Sequence, residues 1–231
     1  MTPDEISKML GAETIKKIYE DGLSKPTSEL SGLITDFIKT IRLFAAPLQL
    51  TASIQDRIQR YLKEVTERVP KEKQIPAEGS FAGPIMERLV YIEDTNYLKN
   101  YYLNLLENAI NSDRVNLAHP AFPNVIHQLS PDEIQILETL KKEDVITKYE
   151  YEKDEKNHII NQKVTESNFE STRLSFSNHR GMYYDHLQFL NLTRITSEVT
   201  ESYNPRLEKY HRATRSSLST FGELFMKACS R

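Results

Sequence analysis

The sequence predicts an α+β fold that is mainly helical, and two observations carry that expectation. Apolar residues recur at helical spacing up to about Lys142, and beyond it the spacing switches to two, the signature of a strand with one buried face. The 231 residues, 39% apolar and 27% charged, are enough to bury a proper core and show no disorder signature. The expected organisation is a helical region over 1–118, with a linker near 70–80, followed by a second region over 119–231.

The elements follow in order. Thr2-Pro3-Asp4-Glu5 has the form of a capping box, with Thr2 as cap and Glu5 reaching back, and predicts a helix to about Asp21 that stops at Gly22. Leu30, Leu33, Ile34, Phe37, Ile38, Ile41 and Phe44 form a second helical stripe, ended by Pro47. Asp36, Lys39 and Arg42 interrupt it too often for a membrane span, which needs roughly 20 mainly apolar residues. Ile54, Ile58, Tyr61, Leu62 and Val65 make the next stripe, with Asp56–Arg60 and Glu64–Arg68 as i,i+4 pairs. Pro70 closes it, and residues 70–80 are polar and rich in breakers. A helix is expected from near Pro84. A longer one follows Asp94 and carries Leu98, Tyr102, Leu105, Leu106, Ala109 and Ile110.

Pro120 and Pro123 flank Phe122 and turn the chain sharply. Ser130 then caps a helix, with Pro131 at its first position and Glu133 completing the box. Ile134, Leu137 and Leu140 mark its buried face. Val145, Thr147, Tyr149 and Tyr151 alternate with polar residues as a strand, and Lys153–Asn157 turns it into a hairpin partner at 158–164. Residues 165–182 are irregular, with a strand expected at Leu174–Phe176. A short helix over Tyr183–Leu190, strands at Leu192–Val199 and Arg206–Ser217, and a last helix capped by Thr220 and Glu223 complete the chain. Helix, hairpin, helix, two strands, helix is a winged-helix-like plan with an inserted β-hairpin.

The wording is then familiar. Ile92-Glu-Asp-Thr with Tyr101-Tyr-Leu-Asn-Leu-Leu-Glu-Asn-Ala109, and His119-Pro-Ala-Phe-Pro with Gln128-Leu-Ser-Pro-Asp-Glu-Ile-Gln-Ile-Leu137, resemble segments of the bacterial abortive infection alpha family. His186-Leu-Gln-Phe-Leu-Asn-Leu192 and Leu218-Ser-Thr-Phe-Gly-Glu-Leu-Phe-Met-Lys-Ala-Cys229 resemble its closing segments. The resemblance covers about residues 80–229 and departs from the pattern at Asn191, where Gly is expected. Asn is the side chain that best tolerates a left-handed backbone after Gly, so the turn is expected to survive. The resemblance implies phage defence by abortive infection. It brings no catalytic residue set, and the matching positions read as caps, turns and core faces.

Chemical signatures are sparse. The six histidines fall in no metal-ligand spacing, and no nucleophile elbow or Gly-rich phosphate loop is present, so no catalytic residue, metal or cofactor is expected. Asp154-Glu155-Lys156 mimics half of a nuclease metal site, but a hairpin tip would leave it in water. Cys229, the sole cysteine, excludes an internal disulfide and reads as a small buried thiol. No secretion signal is legible at Met1-Thr-Pro-Asp-Glu-Ile, which suggests a cytoplasmic protein. The formal net charge of −3, spread evenly over both halves, argues against non-specific nucleic-acid binding.

The expected activity is therefore non-enzymatic: binding or sensing of a phage or host protein, with a homo-oligomer as a further expectation. Two alternatives remain. One is a membrane-directed effector that uses residues 30–50, with Phe37, Ile41 and Phe44 facing lipid. The other is nucleic-acid or partner binding through Arg206, Lys209, His211, Arg212 and Arg215 on the expected wing. Against base reading, the helix at 183–190 has only His186 and Gln188 for polar contacts. Tyr97, Tyr101, Tyr183 and Tyr184 are either contact residues or the lining between the two regions.

Overall fold

The computed structural model describes residues 52–197, 202–204 and 209–231. The helices expected over 2–21 and 30–47, with Phe37, Ile41 and Phe44, lie outside the described residues. Within them the chain is α+β. Helices α1 (Ala52–Glu67), α2 (Gly79–Tyr91), α3 (Lys99–Ala109), α4 (Phe122–Gln128) and α5 (Pro131–Leu140) precede the hairpin β1 (Val145–Lys153) and β2 (Ile159–Ser167). Helix α6 (Arg180–Phe189), strands β3 (Thr193–Ser197), β4 (Ser202–Asn204) and β5 (Lys209–Leu218), and helix α7 (Thr220–Cys229) follow. None of the described helices is long and apolar enough to cross a membrane.

All strand pairings are antiparallel, in the order β2-β1-β5-β3, with β4 paired to β5 beside β3. Helix α3 lies at the centre of the helical layer, where it packs against α1, α2, α4 and α7. It is buried on nearly every side, including the polar positions Asn104, Glu107 and Asn108, which the helical stripe alone leaves facing water. The two asparagines donate from Nδ2 to the carbonyls of Cys229 (2.8 Å) and Ala228 (2.7 Å), closing the orphan acceptors in the last turn of α7. Glu107 is ringed by Arg68, Arg114 and Arg231.

Local signals in the sequence are expressed closely. The Ser130–Glu133 capping box forms in full. Helix α6 ends in a Schellman motif: Leu192 N donates to Leu187 O and Asn191 N to Gln188 O. Asn191, with φ of 56°, supplies the left-handed residue at the position where Gly is expected.

Four expectations need correction. Helix α2 begins at Gly79 rather than near Pro84, which lies inside it. Buried Phe81, Ala82, Ile85, Met86 and Leu89 offset the hydrogen bond that the proline forfeits. Leu174–Phe176 is no strand but a link between single 3₁₀ turns, because Ser175 N and Phe176 N donate to the Asp132 carboxylate. The cap of α7 is Ser219, not Thr220: its Oγ accepts from Gly222 N at 2.9 Å. Arg60 pairs with Asp94 at 3.0 Å instead of Asp56, whereas Glu64–Arg68 forms as expected. Helix α4 is hidden in the sequence by Pro120 just before it and Pro123 inside it, although Pro123 occupies a first-turn site that proline tolerates.

The breaker-rich stretch after Pro70 is tied to the end of α3. Ile75 N donates to Ile110 O, and Ser112 N to Lys73 O, both at 2.9 Å.

Candidate functional site

Side chains alternate across a strand, so cross-strand register decides which residues meet. Tyr149 stands opposite Arg212, and Tyr151 opposite Tyr210. Tyr203 of β4 also stands opposite Tyr210. These five share one sheet face with Thr147 and Val145. The Arg212 guanidinium lies 5.3 Å from the Tyr149 ring and 5.4 Å from that of Tyr151, and its Nη2 donates to Gln162 Oε1 of β2 at 3.0 Å. Tyr151 stacks on Tyr210 at 5.7 Å, and Lys153 Nζ sits 4.5 Å above the Tyr210 ring. Tyr151 is only 2% exposed, while Tyr203 at the rim is 51% exposed.

Helix α6 closes the other end of the same face. Arg180 donates to Thr147 Oγ1 (2.8 Å), Ser167 Oγ (3.1 Å) and Ser171 Oγ (3.1 Å), and its guanidinium packs over Phe169 and Tyr184. The Tyr184 hydroxyl faces that guanidinium without reaching hydrogen-bond geometry, and burial pushes its pKa up. Arg212 Nε is likewise buried without a partner. Among the described residues neither Arg180 nor Arg212 has a carboxylate partner. No described strand position on this face is Asp or Glu. The face is thus tyrosine-rich, and among the described residues no carboxylate meets its two guanidinium groups.

The opposite sheet face pairs its cations with carboxylates. Lys209 and Lys163 both donate to Glu150 Oε1 (2.8 and 2.9 Å), Lys148 pairs with Glu166, and Arg215 pairs with Asp144. Of the basic residues expected to act together, Lys209, His211 and Arg215 stand on this face and Arg212 on the other. Arg206 lies outside the described residues. One strand cannot gather all of them, because its period is two. Sequence reasoning missed Tyr149, Tyr151, Tyr203, Tyr210 and Arg180 as a group. The alternating tyrosines were legible, but the register that sets them against Arg212 was not.

Hydrogen bonds from Lys209 and Lys163 hold the Glu150 carboxyl near a pKa of about 2, against an ordinary 4.5. A lowered folded pKa means the contribution is complete above the unfolded value and is lost as pH falls through the folded one. Amide protection along β1 and β5 is therefore expected to decline between pH 4.5 and about 2, and Glu150→Gln to flatten that decline. Hydrogen exchange across this range checks it, and unchanged protection in the natural chain would count against the Lys–Glu–Lys bridge.

Converging acids occur elsewhere, at the start of α5. Asp132 accepts from Ser175 N (2.9 Å), Phe176 N (3.1 Å) and the Tyr183 hydroxyl (2.8 Å), and Glu133 meets His186 Nδ1 at 2.5 Å. These contacts fasten α6 to α5. Tyr101, Tyr183 and Tyr184 are buried and line the joins between elements; Tyr97 donates to Leu129 O at 3.1 Å. Cys229 is buried, which pushes its thiol up and makes it inert. Asp154 is taken up by its own turn, accepting from Lys156 N and His158 N. Among the described residues no group of three or more His, Cys, Asp and Glu is placed to hold a metal ion.

A family model described as abortive infection alpha matches residues 53–229. No curated protein and no solved structure matches the chain.

Proposed function

The chain belongs to the abortive infection alpha family, which points to a role in abortive-infection defence; from that premise we propose that it acts by binding a protein of the phage or of the infected bacterial host, without catalysis. The observation that carries this reading is the tyrosine–arginine sheet face. Tyr and Arg are the residue types that dominate the energetics of protein contacts, because they bring large area and directional donors at small entropic cost. The carboxylates and imidazole that converge, Asp132, Glu133 and His186, are spent on backbone amides, a hydroxyl and one another rather than aimed at an open cleft.

The strand order β1-β5-β3 with α6 leading into β3 supports a winged-helix-like arrangement with β2 added outside it. In this reading the wing side faces a protein. The protein works in the cytoplasm, where phage components are made.

The test is a phage challenge of a susceptible host with and without the gene. Plating efficiency should fall, and infected cells should stop growing before virus is released. Equal plaque counts would remove the defence assignment. Arg212→Gln, matched for protein abundance, should lose protection; full protection by that variant would show that the working surface lies elsewhere.

A further inference from the structure

We infer that the Tyr149–Tyr151–Arg180–Arg212 face receives an acidic segment of the partner protein, an inference that rests on the protein-binding reading above. The argument is one of charge complementarity at close range. Two partly buried guanidinium groups lie on the same sheet face, and neither meets a carboxylate among the described residues. Arg212 Nε has no hydrogen-bond partner and Nη2 bonds only the neutral Gln162 Oε1, so this guanidinium keeps capacity for a charge-assisted hydrogen bond to a carboxylate. Burying a guanidinium donor unpaired is costly, so an anionic acceptor brought by a partner is favoured beside it. The planar Arg fork is already held in place by two tyrosine rings and by Gln162, so little side-chain entropy remains to be lost when an acid docks.

Nucleic acid would supply anions too, but the site is built against it. Single strands bind by stacking bases on open aromatic faces along a continuous cationic track. Here the rings of Tyr149 and Tyr151 are already covered by Arg212, and Tyr151 is 2% exposed. The far sheet face engages its lysines with glutamates, and the whole chain is net −3, so among the described residues no continuous cationic track extends from this patch. A few closely placed cations match a few carboxylates on an extended peptide.

The experiment uses the full chain with fluorescein-labelled oligo-glutamate, an oligo-glutamine peptide of equal length, and oligo-dT, read by fluorescence anisotropy. Oligo-glutamate should bind, weaken with added salt, and lose affinity at least about tenfold in Arg212→Gln, since hydrogen bonds to charged groups carry that much. Arg212→Lys, which keeps the charge but not the stacked fork, should fall between. Thermal melts of both variants establish that they are folded, and Tyr203→Ser at the exposed rim gives a second reduced binder with less structural consequence.

Equal binding of oligo-glutamine, tighter Arg212-dependent binding of oligo-dT, or no binding of oligo-glutamate would each overturn the inference. The two levels separate cleanly. Arg212-dependent protection in the phage challenge without oligo-glutamate binding sinks only the acidic segment, whereas protection indifferent to Arg212 sinks the surface itself.

Discussion

Gly222→Ala should destabilise the protein by about 3 kcal/mol or more, the upper range for forced overpacking. A Cβ built at this position meets the Leu192 carbonyl oxygen at 1.9 Å and its carbon at 2.8 Å, both backbone atoms that no rotamer change can move. The contact exists because Leu192 closes the Schellman turn of α6 while its carbonyl accepts from Ser219 N at 3.0 Å, and Ser219 in turn caps Gly222. Relieving the clash means parting α7 from the end of α6, which breaks that backbone bond and the cap beside it.

The sign makes the test decisive. In an open helix, replacing Gly by Ala stabilises by about 1 kcal/mol. Urea unfolding followed by far-UV circular dichroism should show a lower midpoint at unchanged slope. A midpoint at or above that of the natural protein would mean that the α6–α7 approach is wider than described.

Gly222 also shows where sequence reading stops. The motif around it was legible as a capped helix start, but the need for glycine comes from Leu192, thirty positions upstream in the chain and unpredictable without the fold. The same division runs through the molecule. Instructions confined to a few neighbours were readable, as in the Ser130 box and the hairpin around Asp154, and the family resemblance pointed to the left-handed Asn191. Features settled by distant partners were not. Leu174–Phe176 has strand-forming composition, yet its amides are claimed by Asp132 across more than forty residues.

Arg212 and Arg215 look alike in a list of basic residues. Register sends one to a tyrosine cluster and the other to Asp144. The candidate surface is therefore a product of pairing, and pairing is a long-range property. The polar flank of α3 makes the same point: Asn104 and Asn108 read as solvated until α7 is laid across them.

Asp132→Ala should cost about 2–4 kcal/mol, because it strands a buried tyrosine hydroxyl, worth roughly 1–3 kcal/mol when left unpaired, and two part-buried backbone amides that water compensates in part. The lost interaction of a carboxylate with the N-terminus of α5 adds only about 0.5 kcal/mol. Burial alone would raise the Asp132 carboxyl, but the Ser175 and Phe176 amides and the Tyr183 hydroxyl outweigh it and hold the group below the ordinary range. A depressed folded pKa puts its stabilisation fully in place above the unfolded value of about 4, and removes it as pH drops through the folded one.

Two signatures follow. Asp132→Ala should lower the denaturation midpoint strongly at neutral pH, and it should lose part of the natural protein's steepening instability below about pH 4, since the titrating group is gone. Asp132→Asn, which keeps one carbonyl acceptor but turns an NH₂ toward a donor, should fall between the two. The consequence reaches the candidate surface, because α6 carries Arg180 and is fastened to α5 by Asp132–Tyr183 and Glu133–His186. Loosening that joint should weaken oligo-glutamate binding even at temperatures where Asp132→Ala is folded. A variant with unaltered stability at both pH extremes would mean that Ser175, Phe176 and Tyr183 find water or other acceptors, and that the α5–α6 joint is held by apolar packing alone.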